Sequence, residues 1–533
     1  MTVSTRASAA ASAAALALAL GVGSTALAQE VTLKANDGSA SIRGKLLEYA
    51  DGFYRIETEL GVLRLAGSRM VCEGEACPDL GTVEADLVFA GSNTIGQGIM
   101  PLLMAGWAYS MGAEAEVENG PMDGSTVASL VADAGFGDPV GTYLIQASTS
   151  DDAFTALLDG EADVGMSARR IRPSEARALR ADGAGNMVSV KQERIVAVDP
   201  VTVIVNPGNP VERITLDQLA AIYRGEITNW ADLGGLDVPI TVYGREPGSA
   251  TGEYFADRVL GDGDGVSDVV MLVDDNNEMA AEVNTAPGGV GFVGYAFQRG
   301  AKPLSLVNAC GITSTPSPFA SKTEEYPLDR RLYLYAREDT LSDTVEEFFR
   351  YAVSEEADGV IAKAGFIDLG IARVSQDQTG GRMRDLIENT SDPYELSLMR
   401  DMLLEMMRWD RLSTTLRFAS GSRALDERGE IDLERLISYL ETEPEGTEVA
   451  LVGFTDSDGA FEGNRSLAIQ RATQVAREIE ARAGDRVQHV DFQAFGFGEL
   501  SPAACNDSAE GKRVNRRVEI WIRGGTATAL NGG

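Results

Sequence analysis

Two doubly wound α/β lobes, with a small β module ahead of them and a strand–helix domain behind them, are what this chain predicts. Three observations carry the prediction. Residues 85–374 alternate short apolar strands with amphipathic helices, the pattern of parallel sheets covered on both faces. Residues 30–80 hold runs of alternating side chains separated by Asp-Gly and Leu-Gly turns, the pattern of a small antiparallel sheet or barrel-like unit. Further on, an apolar strand over 448–454 delivers Asp456 to its end, and a helix follows with Leu467, Ala472, Val475, Ala476 and Ile479 on one face.

The chain opens with Arg6, an Ala/Leu-rich run over 9–20 and Ala26-Leu27-Ala28 before Gln29. A positive start, an apolar core and a small-x-small site predict a cleaved secretory leader over 1–28. The apolar run is short and Ala-rich against the ~20 residues of a membrane span. No Cys follows the cleavage site, which argues against a lipid anchor. The expectation is a soluble protein of the periplasm.

Composition narrows the function classes. Lys and Arg number 46 against 81 Asp and Glu, a formal net charge of −35 that becomes one unit more negative when Arg6 leaves. Bulk charge of that sign excludes nucleic acid and acidic lipid as partners and repels small anions at long range. Any anion site is therefore local, made of backbone N–H groups and a few Arg. The single histidine, His489, is read as structural, and neither a His-rich metal site nor a Ser–His arrangement has the residues it needs. No catalytic residues, metal or cofactor are expected, and the chain is not read as an enzyme.

Four cysteines in an oxidising compartment pair by default. Cys72 and Cys77 flank Glu-Gly-Glu-Ala and are near enough to close a small loop; a zinc site needs further ligands that are not nearby. Of the three possible connectivities, the local pair plus Cys310 with Cys505 is expected, the second clamping the last domain to the central one. The module over 29–80 carries no recognisable chemistry and is read as a packing or adaptor unit.

In the central segment a strand over 86–90 runs into Gly91-Ser92-Asn93-Thr94-Ile95-Gly96. Further strands are read at 163–167 and 201–206, and helices at 152–158 and 216–223. Gly248, Ser249 and Thr251 open a helix that contains Tyr254 and Phe255, where free N–H groups and the positive dipole end favour an anion. Arg245 adds a fork for two oxygens. The turn at Ser92 and Thr94 is a second helix start on the other lobe. Each loop alone reads as an N-cap; two of them in a two-lobed pattern point to an anion site in the cleft.

The runs Asn206-Pro207-Gly208-Asn209-Pro210, Ile222-Tyr223-Arg224-Gly225-Glu226-Ile227-Thr228-Asn229-Trp230, Gly244-Arg245-Glu246-Pro247-Gly248-Ser249-Ala250-Thr251-Gly252 and Tyr326-Pro327-Leu328-Asp329-Arg330-Arg331 make this segment resemble the periplasmic phosphate-binding protein family. The resemblance implies a type II two-lobed fold over 84–375, hinge closure on an oxyanion, and an ABC-type permease as partner. It implies an anion set of Ser92, Thr94, Arg245, Gly248, Ser249 and Thr251, with Ser148 and Arg169 near the edge of the cleft; Arg169 is this chain's own addition and suits a more highly charged or carboxylated anion. The chain departs from the family pattern in three places. Ala250 stands where the family's Gly-Ser-Gly-Thr has its second glycine. The loop at Ser148 has no glycine. Ala168, followed by Arg169, stands where many members place an Asp that takes the proton of hydrogen phosphate. Weaker discrimination between phosphate and sulfate is therefore expected.

Residues 376–411 read as a linker with a helix whose Leu396, Met399, Leu403, Met406 and Met407 form a packing seam, expected to hold the last domain against the central one. Behind it, Asp456 and Arg471 share a rim and suit a small zwitterion, the Arg for its carboxylate and the Asp for its ammonium. Gly453-Phe454-Thr455-Asp456, Asn464, Leu467, Arg471-Ala472, Gly496-Phe497-Gly498-Glu499 and Asn515-Arg516-Arg517-Val518-Glu519-Ile520 resemble the OmpA-like peptidoglycan-binding domain over 412–523. That resemblance implies an α+β fold in which Thr455, Asp456, Asn464 and Arg471 hold the diaminopimelate of the stem peptide. Residues 524–533 read as a tail. Together these features predict a periplasmic receptor for phosphate or a related oxyanion, held non-covalently to peptidoglycan and the outer-membrane side of the envelope. The alternative is a structural tether whose lobes bind a protein.

Overall fold

The computed structural model describes residues 30–35, 40–50, 53–58, 61–66, 70–74, 76–77, 83–122, 124–246, 249–261, 267–375, 387, 392–418, 425 and 427–524. The leader expected over 1–28, Gly248, the loop residues 376–381 and the tail over 525–533 lie outside them. The chain divides into two compact units, 1–81 and 82–533.

The first unit is a five-stranded antiparallel sheet. The strands Gly61–Ala66, Phe53–Thr58, Ser41–Ala50 and Glu30–Ala35 lie side by side in a meander, and Met70–Glu73 returns beside Glu30–Ala35. Val31, Leu33, Leu46, Tyr54 and Ile56 form its core. The last strand is four residues long and alternates half-buried Met70 and Cys72 with exposed Val71 and Glu73. Its ladder to Glu30–Ala35 and the Cys72–Cys77 disulfide hold it in place.

In the second unit the first lobe is built on seven strands, in the order Glu193–Val198, Arg331–Ala336, Val164–Ser167, Leu87–Ser92, Pro139–Ser148, Ser125–Val131 and Glu114–Asn119. The second lobe has five, in the order Met271–Val273, Thr241–Arg245, Gly289–Gly294, Val201–Val205 and Lys302–Pro303. Phe89, Trp107 and Phe348 meet edge to face in the first core; Phe255 stacks on Phe292 in the second, 3.9 Å between centroids. The central strands are buried at every position, and all but Thr202 and Arg331 of their residues are apolar or Gly, because helices cover both faces of each sheet. The chain passes between the lobes once near Asp199 and Pro200 and returns through 326–330. The two passages are bonded to each other, Asp199 N–H to Arg330 O at 2.8 Å and Val201 N–H to Leu328 O at 2.9 Å.

The C-terminal domain is a five-stranded sheet in the order Arg373–Val374, Asp410–Arg417, Arg517–Arg523, Thr447–Phe454 and Val490–Gly498. Its edge strand, Arg373–Val374, follows directly on the two-lobed segment. Helices Glu427–Glu441 and Phe461–Ala483 cover one face, on Val449, Leu451, Val518 and Ile520. Helix Pro393–Met406 covers the other, where Met399, Met402 and Met406 meet Ala450, Val452, Phe454 and Trp521. The methionine stripe is thus a layer of the C-terminal domain itself and not a seam to the central one: two covered faces need an apolar residue at every strand position, and this helix supplies the second cover. Phe461–Ala483 lies so close to the sheet that a Cβ at Gly453 would come within 2.1 Å of Ala468 O.

What joins this domain to the two-lobed segment is charge and sulfur. Glu324, buried, meets Arg331 at 2.5 Å, Arg513 at 2.6 Å and Arg417 at 3.4 Å. Glu325 pairs with Arg411 at 2.5 Å, and Arg411 also reaches Glu519 at 3.1 Å. Cys310 of the second lobe is bonded to Cys505 of the C-terminal domain across 195 residues. Loop-closure entropy makes such a link worth roughly 5 kcal/mol, against roughly 2 kcal/mol for the Cys72–Cys77 loop. Calorimetry of Cys310→Ser/Cys505→Ser is expected to show a lowered unfolding midpoint for the second unit, with Cys72→Ser/Cys77→Ser leaving that transition in place. Equal shifts from both variants would show that the long link carries no such load.

Candidate functional site

The passage between the lobes carries a buried ion pair. Arg330 and Asp199 are 1% and 0% exposed, and Arg330 Nη2 donates to Asp199 Oδ2. Its Nε donates to Asp199 O at 3.1 Å, and its Nη1 donates to Thr251 Oγ1 at 3.0 Å. One guanidinium therefore ties both passages to the start of helix Ala250–Phe255. A Cβ at Gly294 would lie 2.5 Å from Asp199 Oδ2, so only glycine leaves the carboxylate its place. Burial pushes the Asp199 carboxyl above its usual range, against the pull of Arg330.

Of the residues predicted to hold an anion, Thr251 is bonded to this pair and Arg245 lies in the field of Arg330. Ser92 ends the strand Leu87–Ser92 and lies opposite Ser148 in the parallel register. Ser92 and Thr94 are only 0% and 3% exposed, and neither Ser92 Oγ nor Thr94 Oγ1 has a hydrogen-bond partner among the described residues. A buried hydroxyl left unpaired costs about 1–3 kcal/mol, so both are places where a ligand oxygen would be stabilised. The helix start at Asn93–Gly96 is a single turn, which adds few aligned dipoles. Ser249 caps Ala250–Phe255, accepting from Gly252 N–H at 3.3 Å. Arg245 is buried, with Nη1 on Asn276 Oδ1 at 2.9 Å and Nη2 on Asp274 O at 2.8 Å, while Nε has no partner among the described residues. Burial pushes its guanidinium down to about 10, which the nearby Asp275 opposes.

Arg169 is placed differently from the expectation of an open fork. Its guanidinium donates to Glu175 at 2.9 and 2.6 Å and to Asp151, and it lies 5.0 Å over the Phe154 ring. Burial alone would lower its pKa, but the two carboxylates outweigh that and raise it. The reason is local: helices Ser150–Asp159 and Pro173–Ala181 each bring an acid in their first turn to the same arginine.

A cavity of about 930 Å³ opens here. Of the predicted anion residues only Arg169 lines it; Ser92, Thr94, Ser148, Arg245, Ser249 and Thr251 do not, although their chain neighbours Ser150 and Ala250 do, as does Arg330. Asp199 and Arg330 were missed in the sequence. The available signal was an Asp-Pro between two apolar strands and a tandem Arg before a third.

In the C-terminal domain, Thr447–Phe454 sets Thr455 and Asp456 at its end. Asp456 Oδ2 accepts from Arg516 Nη1 at 2.8 Å. Asn464 Nδ2 donates to Asp456 O at 3.3 Å and Glu499 Oε2 at 2.5 Å. Thr455 Oγ1 is buried without a partner. Arg471 is buried 5.2 Å over the Phe418 ring. Burial pushes its guanidinium down to about 10; the field of Asp456 raises it and that of Arg516 lowers it further. The two predicted residues thus share one electrostatic site, and Arg516 is a third member that the sequence pattern contained without a role. His489 Nε2 lies 3.1 Å from Leu440 O, a packing contact. Among the described residues there is no group of three or more His, Cys, Asp or Glu placed for a metal, and no helix is long and apolar enough to cross a membrane.

Residues 124–356 match the family model described as a PBP superfamily domain, and 417–516 match the OmpA family. The chain is 28% identical to protein SphX of Synechococcus elongatus over 233 residues, 42% of this chain and 67% of that protein. It is 26% identical to the phosphate-binding protein PstS of Pseudomonas aeruginosa, over 42% of this chain and 73% of PstS. An ABC-type phosphate transport receptor from Vibrio cholerae covers 53% of this chain at 23% identity, with 99% of its own length aligned and a TM-score of 0.41. A phosphate-binding-protein-like region is therefore joined to an OmpA-like one in a single chain.

Because Arg330 alone neutralises Asp199, Arg330→Ala leaves a buried charge uncompensated, a loss of about 3–5 kcal/mol. Denaturant unfolding of the second unit is expected to show it, with Asp199→Asn/Arg330→Ala recovering a part. A single variant as stable as wild type would remove the pair from this role.

Proposed function

We propose that the chain is a periplasmic receptor for phosphate or a related oxyanion, bound non-covalently to peptidoglycan by its C-terminal domain. The receptor spans 84–375 and the wall-binding domain 412–523. The observation that carries the anion half is the pair of buried hydroxyls of Ser92 and Thr94, without a partner among the described residues, on a lobe whose neighbouring strand Pro139–Ser148 lies in the stretch that matches a PBP superfamily domain. Ser148, Ser249, Thr251 and Arg245 complete the shell, with Gly248 added on the sequence pattern. Arg245 keeps one N–H without a partner; an anion there restores the solvation that burial removed. Closing the lobes about the Asp199–Arg330 passage would bring the two sets of hydroxyls together. The family's proton acceptor is replaced by Ala168, so sulfate should compete better than in relatives that keep an Asp.

The wall half rests on the Asp456, Arg471 and Arg516 cluster, beside the partnerless Thr455 hydroxyl and Asn464. It suits the ammonium and carboxylate of diaminopimelate: the acid takes the first, and the desolvated Arg471 takes the second in a fork. A receptor fixed to the wall does not diffuse to an ABC-type permease, so scavenging, buffering and sensing fit it as well as delivery. The filling of Arg169 by Glu175 and Asp151 favours the second reading, a tether whose lobes hold a protein.

Titration calorimetry with ligand-stripped protein is expected to show phosphate binding, lost in Arg245→Ala. A wild type that binds neither phosphate nor sulfate at millimolar concentration would leave the tether. With the chain's negative charge, the association rate of phosphate should rise with added salt as repulsion is screened.

Asp456→Ala and Arg471→Ala should each abolish co-sedimentation with purified peptidoglycan, a loss on the order of 2–5 kcal/mol for breaking a desolvated charge pair. Undiminished sedimentation of both would sink the wall assignment.

A further inference from the structure

The cavity beside Arg330 has three walls, and the third belongs to the C-terminal domain. From the first lobe come Ser150, Ala168, Arg170 and Arg172; from the second, Ala250, Glu253, Tyr254 and Arg258. Opposite them stand Cys505, Asp507, Ser508, Glu510 and Arg513. We propose that this third wall is a built part of the receptor's ligand site, and that the site takes an anion carrying a polar organic body, a phosphate monoester in place of a bare oxyanion.

The wall is tied to both lobes. On the first lobe's side, helix Glu355–Lys363 packs into that lobe's core through Ala357 and Ile361, and the chain then runs into Arg373–Val374, an edge strand of the C-terminal sheet. Arg435 Nη2 also reaches Val353 O at 3.5 Å. On the second lobe's side, Cys505, a lining residue, is covalently bound to Cys310 in the loop between Ser305–Val307 and Thr313–Ser314. Arg513, also lining, is fixed by Glu324 at 2.6 Å and Glu510 at 2.8 Å. A domain held at two points on opposite sides of a hinge cannot stay still while the lobes rotate freely. It limits opening, and a ligand that enters is held behind it.

The size and charge of the space give the ligand class. A volume of about 930 Å³ is at the upper end of pockets that enclose a drug-sized molecule, far more than an inorganic oxyanion fills. Of its lining, Arg330 donates to Thr251 of the hydroxyl and guanidinium shell, Ala250 is next to Ser249 and Thr251 in the chain, and Ser150 is two residues from Ser148. The third wall bears both signs, Asp507 and Glu510 beside Arg513, which serves hydroxyl or amino groups and leaves a purely apolar body unsatisfied. An anionic head at the shell and a polar body against Asp507 and Ser508 use both ends. The ligand class rests on the anion reading above; the third wall does not.

Two measurements on the full-length protein separate these parts. Hydrogen exchange of the oxidised wild type and of Cys310→Ser/Cys505→Ser, without ligand, reads the wall. Amides of 168–172 and 250–258 should exchange at least tenfold faster in the variant, while 447–454 in the C-terminal core stays protected. Unchanged exchange at the cleft overturns the wall, and a uniform rise including 447–454 counts against it as general loosening. Competition calorimetry with glycerol 3-phosphate and inorganic phosphate reads the ligand class. Glycerol 3-phosphate should bind at least as tightly as phosphate, and Asp507→Trp, which fills the outer space, should lower the preference ratio at least tenfold. Binding of phosphate with exclusion of glycerol 3-phosphate overturns the organic body. Binding of neither removes the anion reading, and with it the ligand class, and leaves the wall to the exchange result.

Discussion

The arrangement of the second unit depends on one arginine pair in sequence. Arg330 turns inward and neutralises Asp199 where the chain passes between the lobes; Arg331, its neighbour, neutralises Glu324 at the border with the C-terminal domain. Consecutive residues of an extended chain point to opposite sides. Two adjacent guanidinium groups can therefore serve two different interfaces with no loop between them. Any rotation of the lobes about Asp199 is felt one residue later at Glu324.

Buried ion pairs are poor sources of net stability, because desolvation offsets most of the Coulomb gain. Their value here is in geometry. Arg330 has one donor set for Asp199 and another for Thr251, so a shift of the second lobe breaks bonds between groups that are shut away from solvent. At Glu324 three guanidinium groups converge on one carboxylate, from the receptor (Arg331) and from two elements of the C-terminal domain (Arg417 and Arg513). Such a site selects one docking position. The Cys310–Cys505 bond then makes that position persistent by removing the separated states from the unfolded and partly open ensembles.

The same economy of burial shapes the two candidate ligand sites. In each, a guanidinium is desolvated far enough to be pushed down to about 10, Arg245 in one and Arg471 in the other, and the same residue set holds a buried hydroxyl without a partner among the described residues. Arg169 is the contrasting case. Its acids are supplied by its own lobe, so its charge is spent on structure.

What the sequence determined by itself are features set by local periodicity and local chemistry. The four alternating runs of the first unit, the helix Leu216–Tyr223, the Ser249 cap and the acid at the end of Thr447–Phe454 follow from side-chain pattern and capping, which act over a few residues. The pairing of Cys310 with Cys505 was reachable by elimination once Cys72 and Cys77 had closed their short loop. What only the tertiary structure decided concerns which distant groups meet. Asp199 and Arg330 are separated by the whole second lobe, and Arg516 reaches Asp456 across most of the C-terminal domain. Helix Pro393–Met406 shows a methionine stripe in the sequence, but whether that stripe faces the receptor or its own sheet is a choice between two apolar surfaces of equal appeal. Arg169 reads as a free cation until two helix starts bring it Asp151 and Glu175. Charge partners and packing partners are chosen by the path of the chain in space, and no short window of residues contains that path.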